Sequence, residues 1–219
     1  MKKGLTEIVF VMDKSGSMGG LESDTIGGYN AFLRKQKKVE GEAFISTVLF
    51  SDESKVIHDR VPIGKVNDMT EEQYSVGGST ALLDAVGDAV CHIANIHRYA
   101  RDEDRPEKTI FVITTDGMEN SSKRRTHGDV KKLVESQKEK GWEFVFLGAN
   151  IDAAEEASKI GISADMAATY ECDEKGTEIN FNCLERLACA IRAGNSAARQ
   201  SIQGGAWKAD IQKYMAKKH

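Results

Sequence analysis

Compact apolar runs alternate with helix-length amphipathic segments along almost the whole chain, and that alternation limits the fold more than any other feature. Glu7 to Met12 (EIVFVM), Glu42 to Ser51 (EAFISTVLFS), Thr109 to Thr114 (TIFVIT) and Glu143 to Leu147 (EFVFL) have the β-branched and aromatic content of strands. Thr109 to Thr114 is apolar throughout, as a strand covered on both faces should be. Residues 22–38 carry Ile26, Tyr29, Phe32 and Leu33 at helical spacing. Residues 81–97 put Leu82, Val86, Ala89, Val90, Ile93 and Ala94 on one helical face. Residues 126–140 read as a charged amphipathic helix, 153–160 as a short helix and 177–197 as a last long one. Met166 to Tyr170 is a weaker strand, and Lys55 to Arg60 forms a hairpin with the strand before it across Ser51-Asp52-Glu53. Each parallel crossover needs a covering element, so this order implies parallel strands with helices on both faces. The hairpin adds one antiparallel strand at an edge.

The chain has 219 residues, no internal repeat and only two prolines, Pro62 and Pro106, neither inside a predicted element. One domain is the better count. From about residue 199 the sequence turns Gly-containing and then basic (Lys208, Lys213, Lys217, Lys218) around a lone Trp207. This reads as a solvated or loosely docked terminus, with a partner-binding tail as the alternative. A net charge of -4 argues against nucleic acid as the main partner. No apolar run approaches the roughly 20 residues that cross a bilayer, and the start of the chain reads as a strand rather than a signal peptide. Cys91, Cys172, Cys183 and Cys189 form no Cys-x-x-Cys pair. Reduced thiols and a cytoplasmic location are the plain expectation.

Three segments carry chemistry. Asp13-Lys14-Ser15-Gly16-Ser17 follows the first strand directly and places a carboxylate and two hydroxyls in five residues. Gly77-Gly78-Ser79-Thr80 precedes the helix at 81–97. There a hydroxyl residue can act as N-cap, with Ser79 capping and Thr80 left free, while Asp84 favours the early part of that helix. Thr114-Thr115-Asp116-Gly117 ends the strongest strand with a second carboxylate. Taken singly, each is also an ordinary turn or cap. Together they bring two carboxylates and three hydroxyls to what should be one rim of a parallel sheet, where ligands bind. Asp13 and Asp116 would repel unless a cation stood between them, and hard divalent cations take oxygen ligands.

Asp-x-Ser-x-Ser, a distant Thr before a helix, and an Asp in a Thr-Asp-Gly setting resemble the metal-ion-dependent adhesion site of the von Willebrand factor A family. The resemblance covers roughly residues 4–198 and leaves 199–219 as a basic C-terminal tail. It implies a doubly wound, mostly parallel six-stranded sheet with one antiparallel edge strand. It also implies a site for Mg²⁺ (Mn²⁺ or Ca²⁺ as substitutes) on Asp13, Ser15, Ser17, Thr80 and Asp116. In that resemblance Ser15, Ser17 and Thr80 bind directly, Asp13 and Asp116 act mainly through water, and Asp116 moves closer in an alternative state. The lack of a signal segment suggests an intracellular, prokaryotic-type member.

Hydroxyls and waters leave a metal much of its positive character, so the expected role is to accept an Asp or Glu of a partner protein rather than to catalyse. The histidines, His58, His92, His97, His127 and His219, read as exposed or satisfied imidazoles rather than a general base. The competing reading is a Mg²⁺-dependent hydrolase or phosphatase-like enzyme of unrecognised type. A haloacid-dehalogenase-type phosphatase needs a second carboxylate where Ser15 stands. Gly-x-Ser-x-Gly, the P-loop and the dinucleotide fingerprint are all absent.

Overall fold

The computed structural model describes residues 1–218. Six strands form one sheet: β1 (Lys2–Asp13), β2 (Glu42–Phe50), β3 (Ser54–Pro62), β4 (Pro106–Thr115), β5 (Glu143–Ala149) and β6 (Ala167–Tyr170). Their spatial order is β3-β2-β1-β4-β5-β6. All pairs are parallel except β2 with β3, which is the hairpin. The strand order reverses at β1, whose neighbours are β2 on one side and β4 on the other. In an open α/β sheet that reversal opens a crevice beyond the carboxyl ends of the strands.

Side chains alternate across the sheet and fill two cores. Ile8, Phe10 and Met12 of β1 join Ile110 and Val112 of β4 beneath α1 (Glu22–Gln36) and α5 (Glu174–Ala193). Val9 and Val11 join Phe111 and Ile113 beneath α2 (Leu82–Tyr99), α3 (His127–Lys138) and α4 (Ala153–Lys159). Burial on both faces is why these strands read as unbroken apolar runs.

One boundary extends well past its sequence signal. β1 begins at Lys2, which pairs with Pro106 of β4, and Leu5 and Thr6 pair with Glu42 and Ala43 of β2. The expectation of a solvated or loosely docked tail is corrected. α6 (Ser196–Ile202) and α7 (Ala209–Lys218) fold back on α5, and Trp207 is 4% exposed. Its indole N–H donates to the Asp165 carbonyl, and Lys208 Nζ donates to those of Ala164 and Ala167. Burying an indole with a hydrogen-bond partner supplies the driving force that the basic composition hides.

Candidate metal centre

β1 and β4 lie side by side with Met12 opposite Thr114, so Asp13 and Thr115 end level with each other. Thr115 Oγ1 donates to Asp13 Oδ2 at 2.6 Å, and the Ser15 N–H donates to Asp13 Oδ1 at 2.7 Å. Both oxygens of a fully buried carboxylate are thus held by neutral donors. From Ser15 the cluster continues outward. Ser15 Oγ is 3.2 Å from Ser17 Oγ, and the Ser17 hydroxyl donates to Asp116 Oδ1 at 2.6 Å. Thr80 completes it from a third loop. Gly117 passes so close that an added Cβ would sit 3.2 Å from Thr80 Oγ1 and 3.5 Å from Ser17 Oγ. The structure therefore brings together all five side chains singled out in the sequence. Asp13, Ser15 and Thr80 are buried, Asp116 is half-buried and Ser17 is exposed.

Backbone bonds between loops fix this arrangement. Gly16 N donates to Gly78 O and Gly77 N to Lys14 O, while Ala81 N reaches Ser51 O. Gly78 adopts φ +83°, and a side chain there would strike Asp52 Oδ2, 2.1 Å from an ideal Cβ. Only glycine takes that conformation at so close an approach. Asp52 in turn accepts the Ser79 N–H.

The start of α2 differs from the sequence expectation. Neither Ser79 nor Thr80 is its N-cap. The position falls on Ala81, which has no capping side chain. The loop after β4 caps the helix instead. Glu119 Oε2 accepts from Leu83 N and Ser122 Oγ from Asp84 N. Asn120 is joined to Thr80 twice, its Oδ1 accepting from Thr80 N and its own N–H donating to Thr80 O. Asp84 likewise does more than favour the helix end. Its carboxylate accepts the N–H groups of Lys123, Arg124 and Arg125, which ties the same loop to α2. Burial alone would raise its pKa, but these N–H groups and the Arg124 charge hold it below the ordinary value of 3.8. The loop carrying Asp116 is therefore anchored to the helix that carries Thr80.

Sequence reasoning missed Tyr74, which is 1% exposed and whose hydroxyl donates to the Asp13 carbonyl. Its phenol is pushed far up by burial and then by the Asp13 carboxylate. The one available signal was a lone aromatic in an otherwise polar stretch, Glu71-Glu72-Gln73-Tyr74-Ser75.

Electrostatics at the rim are one-sided. Burial raises the Asp13 pKa above 3.8. The hydroxyls of Ser15 and Thr115 and the Ser15 N–H oppose that, and the Asp116 charge adds to it. No Lys or Arg pairs with Asp13 or Asp116 among the described residues. The donor set is all oxygen, with two carboxylates whose charges a dication would balance. It fits a hard divalent cation and offers no soft ligand. Among the described residues no group of three or more His, Cys, Asp or Glu forms a competing metal site.

The sequence matches the family model of the von Willebrand factor type A domain over residues 7–180. No curated protein sequence matches it. Among solved structures, proximal thread matrix protein 1 from the mussel byssus, with a zinc-occupied MIDAS motif, is similar at TM-score 0.58 and 19% identity. That match covers 85% of this chain and 46% of the mussel protein, so the chain spans less than half its length. The vWF domain of a type V pili tip protein from Porphyromonas gingivalis matches at TM-score 0.60 and 11% identity, covering 86% of this chain and 95% of that one. The manganese-loaded TRAP protein of Plasmodium vivax matches at 0.54 and 14%, covering 83% and 74%. At these identities the likeness is one of fold.

Proposed function

We infer the function from one premise: the chain belongs to the von Willebrand factor type A domain family. On that premise the rim is a divalent-cation-dependent site for binding another protein. The ligands are Asp13, Ser15, Ser17, Thr80 and Asp116, and Mg²⁺ is the resident ion. The observation that carries this reading is a buried carboxylate at the sheet's reversal point. It is bonded only to neutral donors and stands beside a second carboxylate and three hydroxyls. Two relatives of the same fold are described as zinc-occupied and manganese-loaded, which supports a dication without choosing among them.

A bound dication would supply concentrated positive charge with a position open to an outside oxygen. The protein's own residues do the rest. Asp13 and Asp116 provide the compensating charge, while Ser15, Ser17 and Thr80 provide neutral oxygens that leave that charge incompletely cancelled. The Thr115 hydroxyl and Ser15 N–H orient Asp13, and Asn120 orients the Thr80 backbone. A partner Asp or Glu completes the set. Met118, 64% exposed on the Asp116 loop, offers apolar surface beside it. We read the site as binding rather than reacting because, among the described residues, no imidazole bonds a residue of the cluster. His58 bonds Thr47, His92 bonds Asp59, His97 approaches Glu7 and His127 begins α3; His219 lies outside the described residues. The four cysteines are unpaired, which agrees with a cytoplasmic setting.

Affinity capture in Mg²⁺ followed by elution with EDTA tests the proposal. Partners should leave with the metal and fail to bind Thr80→Ala. Partners that stay through EDTA, or bind Thr80→Ala equally, would refute a metal-bridged contact.

A further inference from the structure

The turn after β6, Glu171-Cys172-Asp173, lies on the same rim as the metal centre, because β6 runs parallel to β5 and β5 to β4. Asn150, just past β5, holds it from two sides. Its N–H donates to the Tyr170 carbonyl, and its Oδ1 accepts from Cys172 N. The turn is also within electrostatic reach of the site. Burial pushes the Cys172 thiol up to about 11, and the carboxylates of Asp116, Glu171, Asp173 and Asp24 add to that. The metal centre's own Asp116 is therefore among the acids that face this turn.

The cation that meets those acids comes from the far end of the chain. The family match ends at residue 180, and α7 lies beyond it. Lys218 Nζ donates to Asp173 Oδ2 and, at 3.2 Å, to Glu171 Oε1. One turn earlier, the Tyr214 hydroxyl donates to Asp173 Oδ2 at 3.1 Å. The other oxygen of Asp173 caps α5 by accepting Gly176 N at 2.6 Å. The start of this terminal segment is fixed, because Trp207 and Ile211 are buried. Past Ile211 no described residue of α7 is fully buried, and its last turn is held to the rim by exposed polar contacts. Such ion pairs contribute little to stability, and a helix this short is marginal by itself. The end of α7 can therefore leave the rim while Trp207 keeps the segment attached.

We propose that α7 is a strap that sets the strength of the metal centre. Docked, Lys218 offsets the negative charge of the turn beside Asp116 and holds cation affinity down; released, it leaves that charge uncompensated and affinity rises. The inference rests on the rim being the cation site proposed above. The coupling is reciprocal, so a bound dication should loosen the strap in turn.

The test compares the parent with Lys218→Glu. Lys213→Glu, beside Asp210, makes the same change of charge elsewhere on α7 and is the control. In calorimetric titration at low ionic strength, Lys218→Glu should bind Mg²⁺ about threefold more tightly than the parent. The gain should shrink in about 0.5 M salt, and the control should show less than half of it. Hydrogen exchange in EDTA reads the strap without the metal: residues 170–177 should exchange faster in Lys218→Glu than in the parent. Adding Mg²⁺ to the parent should speed exchange in the last turn of α7. Equal Mg²⁺ affinity in the parent and Lys218→Glu overturns the proposal. An equal gain in Lys213→Glu does so too, since net charge alone would then account for it, as does unchanged exchange over 170–177. Failure of the metal reading looks different: no variant binds Mg²⁺ while the exchange difference persists, and the control of affinity falls with that reading.

Discussion

Glu7, midway along β1, and Asp13, at its carboxyl end, are both fully buried. Their surroundings differ completely. Glu7 Oε2 receives Arg60 Nε at 2.8 Å and has His97 Nε2 at 3.4 Å, while Ser46 Oγ lies 3.5 Å from its other oxygen. Asp13 receives only neutral N–H and hydroxyl donors, and the charged group that acts on it is another carboxylate, Asp116. One buried acid carries its counter-ion within the fold. The other is oriented but not neutralised, and it opens onto the crevice where such folds bind ligands. A carboxylate that the protein bonds without compensating is the physical signature of a cation site, whereas a compensated one is part of the scaffold.

The comparison is broken or sharpened by substitution of each carboxylate. The largest effect belongs to Glu7→Gln, which leaves Arg60 without its counter-ion and should lower unfolding free energy by about 3–5 kcal/mol in urea titration. A change below 1 kcal/mol would show that Glu7 is no structural ion pair. Next comes Asp84→Asn, which turns one of the two oxygens that accept N–H groups of the Asp116 loop into a donor and removes the charge, and should lower stability by about 1–3 kcal/mol at neutral pH. The folded-state pKa of Asp84 is depressed, so its contribution is present above the unfolded value of 3.8 and fades as pH falls through the folded one. Between pH 5 and about pH 2 the parent should therefore lose more stability than Asp84→Asn. Parallel curves would remove Asp84 from the account.

Smaller effects concern the rim itself. With a dissociation constant near 1 mM, Mg²⁺ at about 10 mM adds about 1.4 kcal/mol and raises the melting temperature by roughly 2–5 °C. Thr80→Ala should reduce that increment, as scanning calorimetry with and without Mg²⁺ would show. Smallest of all is Asp13→Asn in EDTA. It relieves a buried charge without removing volume, and its stability should stay within about 1 kcal/mol of the parent. A loss as large as that of Glu7→Gln would erase the contrast between the two carboxylates.

Much of this was legible in the sequence because it depends on residue type and order. β1, β2, β4 and β5 announce themselves as apolar runs because both faces of the sheet are covered there, whereas the polar edge strand β3 is read from its hairpin turn and β6 only as a weaker strand. The five oxygen-bearing residues stand at strand ends or before a helix, where an open sheet exposes its crevice. What was hidden depends on contacts between distant segments. Glu119 and Ser122 cap α2 in place of Ser79 because the loop after β4 folds over that helix end, which no local pattern encodes. Tyr74 comes from a segment without regular structure. Trp207 and Ile211 dock the terminal segment, yet they are thinly spaced among lysines and give a weak periodic signal. Arg60, in a left-handed conformation at φ +49°, reaches Glu7 from an irregular stretch of β3 that the strand pattern does not reveal.

The central claim is that Asp13 is oriented by the fold to be neutralised from outside. Calorimetric titration of Mg²⁺ and Mn²⁺ into the parent and into Asp13→Asn, each shown to be equally folded, tests it directly. The account predicts one saturable site in the parent and none at the same concentrations in Asp13→Asn. Equal binding by both, or none by the parent, would contradict it.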